Sequence, residues 1–340
     1  MVAGGAAGAA RPAERMRISG MTRLLESEKV LAITLLTPGV VILVLFIAYP
    51  FVMALWYSLT SIRVGDPGHF VGLTNFSKAW NDTVFQLAFR NTVFYTFWAT
   101  IFKLALGMWL ALLLNRSFRF KRIVRASMLL PFIIPTVLSA FAWRWMFDPT
   151  FSVMNWVLFH MGIITDRLPF LSNGDWAMWC AVVVNTWRGM PFFAITLLAG
   201  LQTISPDLHE AAALDGASAW HRFWHVTWPL LLPVTLVVVV FSVIQTFSDF
   251  QLIYVLTGGG PANTTHLVAT YAYQVGVASG LLGEGAALSL FMFPVLFAVV
   301  CSSPLTCSSV GSSVQNGVAL ACRQVRYSSP SGRNAVTAIQ

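Results

Sequence analysis

The chain has 340 residues, of which 57% are apolar and only 10% charged, and its mean hydropathy is +0.71. A soluble domain carries about 25% charged residues, so this composition excludes a water-covered globule and places the chain in a bilayer. The net charge of +8 lies in loops between apolar runs, without basic patches interleaved with aromatics, which excludes a nucleic-acid footprint and leaves a topological signal.

In chain order, residues 1–29 begin MVAGGAAGAARPAERMRISG, rich in Ala and Gly and without apolar period, and are expected to be a disordered terminus. Met16 and Met21 are alternative starts to Met1. A bilayer core needs roughly 20 apolar residues per helix. Six stretches qualify, at about 30–59, 90–114, 126–147, 177–200, 229–256 and 285–305. The first is longer than the apolar region of a secretory signal, has no small-x-small site after it, and contains Pro38 and Pro50; it is read as a true span.

Lys and Arg favour one side. The N-terminal tail holds Arg11, Arg15, Arg17, Arg23 and Lys29; the loop after the second span holds Arg116, Arg119, Lys121, Arg122 and Arg125; the loop after the fourth holds Arg222. The opposite loops hold only Arg63, Lys78 and Arg167. The positive-inside rule then makes both termini and the loops at 115–125 and 201–228 cytoplasmic.

The loop between the fourth and fifth spans is unlike the others. Ser205 is a good N-cap, Pro206 suits the first helical position, Asp207 complements the dipole, and Ala211 to Leu214 favour helix. Gly216 is placed to end that helix with positive φ, and a second short helix is expected from about Ser218. A short Ala-faced helix projecting from a membrane domain suits docking in a partner's groove, since small side chains allow close approach.

Residues 210–233, EAAALDGASAWHRFWHVTWPLLLP, resemble the EAA loop of binding-protein-dependent ABC importer permeases, through Glu210, Ala211, Ala212, Asp215, Gly216, Ala217, Phe223, Val226, Pro229 and Pro233. Leu256-Thr257-Gly258-Gly259-Gly260-Pro261, with Thr264 and Tyr271-Ala272-Tyr273, resembles the carbohydrate branch of that superfamily (the maltose, glycerol-phosphate and trehalose type). Echoes occur at Phe70-Val71-Gly72-Leu73-Thr74-Asn75-Phe76 and Asn91-Thr92. The resemblance runs from about 30 to 300 and implies an all-α membrane protein of six transmembrane helices with the type I importer permease fold. Together with the apolar stretches it divides the chain into a first helix at 30–59 and an importer transmembrane domain at 86–300 with a cytoplasmic coupling loop at 201–228, and it leaves 301–340 as an atypical tail that departs from the family pattern. It also implies a second homologous permease, two cytoplasmic ATP-binding subunits, an extracytoplasmic sugar-binding protein and a place in the inner (plasma) membrane among its lipids. Glu210, Ala211, Ala212, Asp215, Gly216 and Ala217 would then form the coupling element.

No G-x-x-x-x-G-K-[ST] occurs, so no P-loop is expected here; no cofactor is assigned to this chain, and ATP with Mg²⁺ belongs to the partner ATPase. No nucleophile, base and orienting group are recognisable together, and the chain is read as a non-enzyme. His221 and His225 share a helix face but lack the further ligand that a metal site requires. Cys180, Cys301, Cys307 and Cys322 form no C-x-x-C pair. Ionisable residues inside spans are costly and mark cavities or polar pairs: Lys103, Arg188 and Asp249. Asn185, Gln245, Ser248 and Gln251 add polar faces, with Gln245, Ser248 and Asp249 expected on one side of a helix and Trp187 as an aromatic platform. These groups form either a sugar pathway or an interhelical Arg188–Asp249 pair. Rival readings are a permease for a polyol, glycerol phosphate or peptide, and a stand-alone secondary transporter or channel, which predicts internal repeats and no docking loop.

The apolar run from Ala286 breaks at Val300, and the Ser- and Cys-rich stretch from about Cys301 to Gln340 is expected to lie outside the working permease.

Overall fold

The computed structural model describes residues 28–117, 119–148 and 150–302. Expectations for the N-terminal tail before residue 28 and for the tail beyond residue 302 fall outside them. The chain divides into two compact units, Met1–Ala54 and Leu55–Gln340, and among the described residues regular structure is helical apart from two isolated bridges, Thr60–Phe70 and Arg63–Asp66.

The first long helix, α1, is Lys29–Ser58. In the first unit it exposes apolar side chains on every face, with Ile33 at 66%, Leu36 at 65% and Phe46 at 74%. A helix apolar all round is stable only in lipid or against other apolar helices. Its α-ladder widens to a π-turn at Val44–Ala48, where the Tyr49 amide donates to the Val44 carbonyl. Pro50 follows immediately and has no N–H to continue an α-ladder, so the wider turn takes up the missing bond.

The second unit opens with α2, Thr74–Asn81. The Asn75 amide donates to the Ser58 and Thr60 carbonyls at 2.9 and 2.8 Å, and Gly72 has φ +59°, which gives the Phe70–Phe76 echo a local structural role. Asp82 then caps α3, Thr83–Asn115, by accepting from the Val84 amide at 2.9 Å. This span begins seven residues before the sequence-based boundary at 90; in its first turn Phe85 is buried in a cluster with Ala79, Val268, Ala272 and Leu288.

The expected third span at 126–147 is two helices, α4 (Lys121–Ile133) and α5 (Thr136–Met146), bent by 90°. The bend falls at Ile134-Pro135. A residue before proline is pushed out of the helical region, and Ile134 is extended at φ −63°, ψ 130°. Helix α6, Val153–His160, leads to α7, Gly174–Gln202.

Helices α3 and α7 form the centre of the unit. On α3, buried Ala99 shares a cluster with Ala181 and Val184 of α7, and Ala111 with Ala194 and Leu197, while Thr100 turns to Ser242 and Thr92 to the Val268 amide. Small residues let backbones approach closely where lipid supplies no hydrophobic drive. A Cβ on Gly107 would sit 2.5 Å from the Cβ of Phe193.

After α7 come α8, Pro206–Leu214, and α9, Ala219–Phe247. A second π-turn, Phe223–Thr227, lies just before Pro229, with the Trp228 amide donating to the Phe223 carbonyl. The fifth span, expected to reach residue 256, ends at Phe247. Ser248 caps it, residues 249–250 leave the helix, and α10 (Gln251–Leu256) starts again. Then α11, Val268–Tyr273, runs into a third π-turn, and α12, Leu282–Ser302, is a 21-residue span. Among the described residues, length and apolarity thus give five continuous spans, and six when the bent α4–α5 pair counts as one.

Candidate functional site

Seven of the eight residues singled out in the spans line one cavity of about 500 Å³ in the second unit: Lys103, Asn185, Arg188, Gln245, Ser248, Asp249 and Gln251. Lys103 reaches it from α3. The shared helix face expected for Gln245, Ser248 and Asp249 does not exist, because α9 ends at Phe247. They meet in the cavity through the helix break instead. Trp187 is not in the wall; it packs edge-on against Trp143 at 5.5 Å. The aromatic surface comes from phenylalanines, with Phe132 stacked on Phe192 at 5.6 Å and Phe192 against Phe241 at 5.2 Å.

Asp249 is the hub of a polar network. Its Oδ2 accepts from the Tyr95 hydroxyl at 2.8 Å and from Asn185 Nδ2 at 3.1 Å, and its Oδ1 accepts from the Leu252 amide at 3.3 Å, capping α10. The expected Arg188–Asp249 pair is not formed: among the described residues the one ion pair is Lys78–Glu284 at 2.7 Å. Lys103, only 4% exposed, donates to Thr246 Oγ1 at 2.8 Å. Its stem crosses α7 over Gly189, where a Cβ would lie 2.4 Å from Lys103 Cδ. These bonds fix α3, α7 and the α9–α10 break to one another, giving Tyr95, Lys103 and Asp249 partners where lipid offers none.

Tyr95 and Thr246 were not singled out in the sequence. Tyr95, Ala99 and Lys103 recur at i, i+4 and i+8 on one face of an otherwise apolar span, and that stripe was the available signal. A larger cavity, about 810 Å³, lies around Trp156, His160 and Arg167 in the segment between α5 and α7 and holds none of the buried network.

The Gly-rich segment beyond α10 is tied down from the side. Asn91 Nδ2 donates to the Thr264 and His266 carbonyls at 2.7 and 3.2 Å, and the Val268 amide donates to Thr92 Oγ1 at 2.9 Å. Gly259, at φ +90°, faces the His266 ring so closely that a Cβ would meet it at 2.1 Å. Burial holds the His266 ring below the ordinary histidine pKa, a hydrogen bond with Gln274 opposing. The Tyr271 hydroxyl donates to Asp82, and burial followed by that carboxylate raises its pKa well above the ordinary tyrosine value.

Helix α8 contrasts with all of this. Ser205 Oγ accepts from the Asp207 amide at 3.3 Å, Pro206 takes the first turn, and Gly216 adopts φ +82°. The Ala217 and Gly216 amides donate to the Ala212 and Ala213 carbonyls, both at 3.0 Å, closing a Schellman motif with Asp215 as C-cap. That bond pattern is the local reason for Asp-Gly at 215–216. Arg222 Nη1 reaches back to the His209 carbonyl at 3.5 Å. No residue of α8 is buried; Leu214 is 90% exposed and Trp220, beyond it, 71%. His221 and His225 stack at 4.0 Å, and among the described residues no three His, Cys, Asp or Glu side chains gather as for a metal.

Apolar helices around a polar cavity, with a rigid capped helix standing out of the bundle, define a membrane permease. The chain belongs to the family of binding-protein-dependent transport system inner membrane components, whose pattern matches residues 103–311. It is 34% identical over 82% of its length to the sulfoquinovosyl glycerol transport system permease SmoG of Agrobacterium fabrum, covering 91% of that protein. It is 32% identical over 80% to the trehalose/maltose permease MalF of Thermococcus litoralis, covering 92% of it. A bacterial ABC transporter structure involved in import of the acidic polysaccharide alginate superposes with TM-score 0.73 at 23% identity, over 85% of this chain and 98% of the other. The fold is that of a type I ABC importer permease, and the chain is an inner-membrane permease of a binding-protein-dependent ABC importer.

Proposed function

We propose that this permease carries a sugar inward, with both termini and the 115–125 and 201–228 loops in the cytoplasm. It pairs with a second permease, receives solute from an extracytoplasmic binding protein, and is driven by two subunits that hold ATP and Mg²⁺. Helix α8 seats in one of those subunits through Glu210, Ala211 and Ala212, with the 215–217 turn setting its angle. The observation that carries the sugar reading is the 500 Å³ cavity, which sets amide, hydroxyl and charged groups against phenylalanine faces. Sugar hydroxyls need the first and sugar C–H faces the second. Relatives named for sulfoquinovosyl glycerol, trehalose and maltose transport support the same class.

Uptake of labelled disaccharides, with glycerol phosphate and a dipeptide alongside, tests the reading in cells lacking or carrying the chain. Chain-dependent uptake of at least one sugar is expected, abolished by Glu210→Lys while the protein still inserts. Chain-dependent uptake of the dipeptide alone overturns it. Reporter fusions after residue 215 and near Asn263 are expected to report cytoplasm and exterior respectively.

A further inference from the structure

The charged groups of the cavity are not equivalent. Asp249 is turned into the protein, its two oxygens accepting from Tyr95, Asn185 and the Leu252 amide. Lys103 is buried and donates to Thr246. Arg188 differs from both. It lines the same cavity, is half-buried, and among the described residues joins no ion pair or hydrogen bond. Its Nε is covered and has no acceptor. The Oδ1 of Asn185, one turn earlier on α7, is likewise covered and without a donor.

A guanidinium in a low-dielectric site without an acceptor is costly, and such groups are retained where something else supplies the acceptor. The cavity's one carboxylate already accepts three hydrogen bonds, none of them from Arg188, and the guanidinium is left as the charged group without a bonded acceptor. A planar guanidinium fork matches the oxygen pair of a carboxylate or the face of a sulfonate with two parallel bonds, a geometry a lone sugar hydroxyl cannot complete.

We propose that Arg188 anchors an acidic group on the translocated solute, so that the solute class is an acidic saccharide, carboxylate- or sulfonate-bearing, instead of a neutral sugar. The inference rests on the sugar reading above for the word saccharide, and on Arg188 alone for the word acidic. In that pose the phenylalanines cover the ring's C–H face. Binding is non-covalent throughout, and discrimination comes from the guanidinium left unpaired when a neutral sugar occupies the site.

Phenylglyoxal labelling of membranes containing the assembled transporter tests this, with labelling at Arg188 read by mass spectrometry and exposed Arg116 as internal reference. The probes are methyl β-D-glucuronide, methyl β-D-glucoside and glutarate at equal concentration. Arg188 is expected to react in the unliganded protein, and the glucuronide to slow it about tenfold while the glucoside leaves it unchanged and Arg116 is unaffected. Equal protection by glucoside and glucuronide overturns the acidic anchor and leaves the sugar reading standing. Protection by glutarate equal to that by the glucuronide upholds the anchor and removes the saccharide. Absence of protection by the glucuronide overturns the proposal, as does failure of Arg188 to react unliganded, since the guanidinium would then already be engaged.

Discussion

The network around Asp249 and the helix α8 lie in the same unit and are built on opposite plans. Around Asp249, side chains from three helices satisfy one another, and rigidity comes from long-range bonds such as Tyr95–Asp249, 154 residues apart in sequence. In α8 the turns and caps are fixed by local bonds, from Ser205 at one end to Ala217 at the other, with one added reach from Arg222 to the His209 carbonyl, and no residue is buried. The difference teaches where each kind of damage should register. Breaking the network removes partners from polar groups in a low-dielectric interior and lowers stability with function. Altering α8 leaves the bundle intact and removes only what α8 does to another molecule.

The sharpest break of the comparison is Asp249→Leu, which leaves the Tyr95 hydroxyl, the Asn185 amide and the Leu252 amide without their acceptor. A loss of about 3 kcal/mol is expected, read as a lower thermal midpoint in detergent, together with loss of uptake; Asp249→Asn is expected to retain part of both. An uptake defect at unchanged stability would show that the network is not structural.

Gly285→Ala serves as a reference remote from both regions. Its Cβ would lie 2.3 Å from Gly276 Cα and 2.9 Å from the Ala272 carbonyl, backbone atoms that cannot swing away. An overpacking cost of about 1–3 kcal/mol is expected in the same melting assay.

Gly216→Val comes next. Nothing lies within 4 Å of the added Cβ, so the cost is the β-branched residue at φ +82°, about 1–2 kcal/mol. The strain is expected to unwind the 215–217 turn, abolishing uptake and ATPase stimulation while the bundle melts as before. Leu214→Ser is smaller still. With Leu214 90% exposed, the stability change is expected within about 0.5 kcal/mol, yet ATPase stimulation should fall. Normal stimulation in both variants would remove α8 from coupling.

The smallest effect is in pH. Burial holds His266 neutral, with its folded pKa depressed, so its contribution to stability is full above about pH 6.5 and is lost as pH falls through that region. Amides of residues 257–267 are expected to exchange faster under acid conditions, relative to those of α7, after correction for intrinsic rates.

The two regions also differ in how far the sequence disclosed them. A cap, a first-turn proline and a positive-φ glycine are local signals, so the bounds of α8 and the conformation of Gly216 were readable from 205–217. The ionisable cavity residues were conspicuous in apolar spans, because charge is rare there. Their partners were not: Tyr95 and Thr246 are ordinary span residues until the fold brings them to Asp249 and Lys103. The break after Phe247 carries no Pro or Gly, so an unbroken helix to 256 was the natural reading, and it misplaced Gln245, Ser248 and Asp249 on a common face. Trp187 failed as a platform because edge packing on Trp143 takes it out of the wall.

The π-turn at Phe223–Thr227 has a mechanical consequence. A π-turn holds one residue more than an α-turn, and each residue turns a helix by about 100°. The residues of α9 after Trp228, including cavity-lining Phe241 and Gln245, are thus indexed about 100° away from where an uninterrupted helix from Ser218 would put them. That inserted phase sets the azimuth at which the α8 end meets the cavity end, much as a key sets a shaft on its wheel. Pro229 keeps the key from slipping, because it has no N–H with which to restore the tighter ladder.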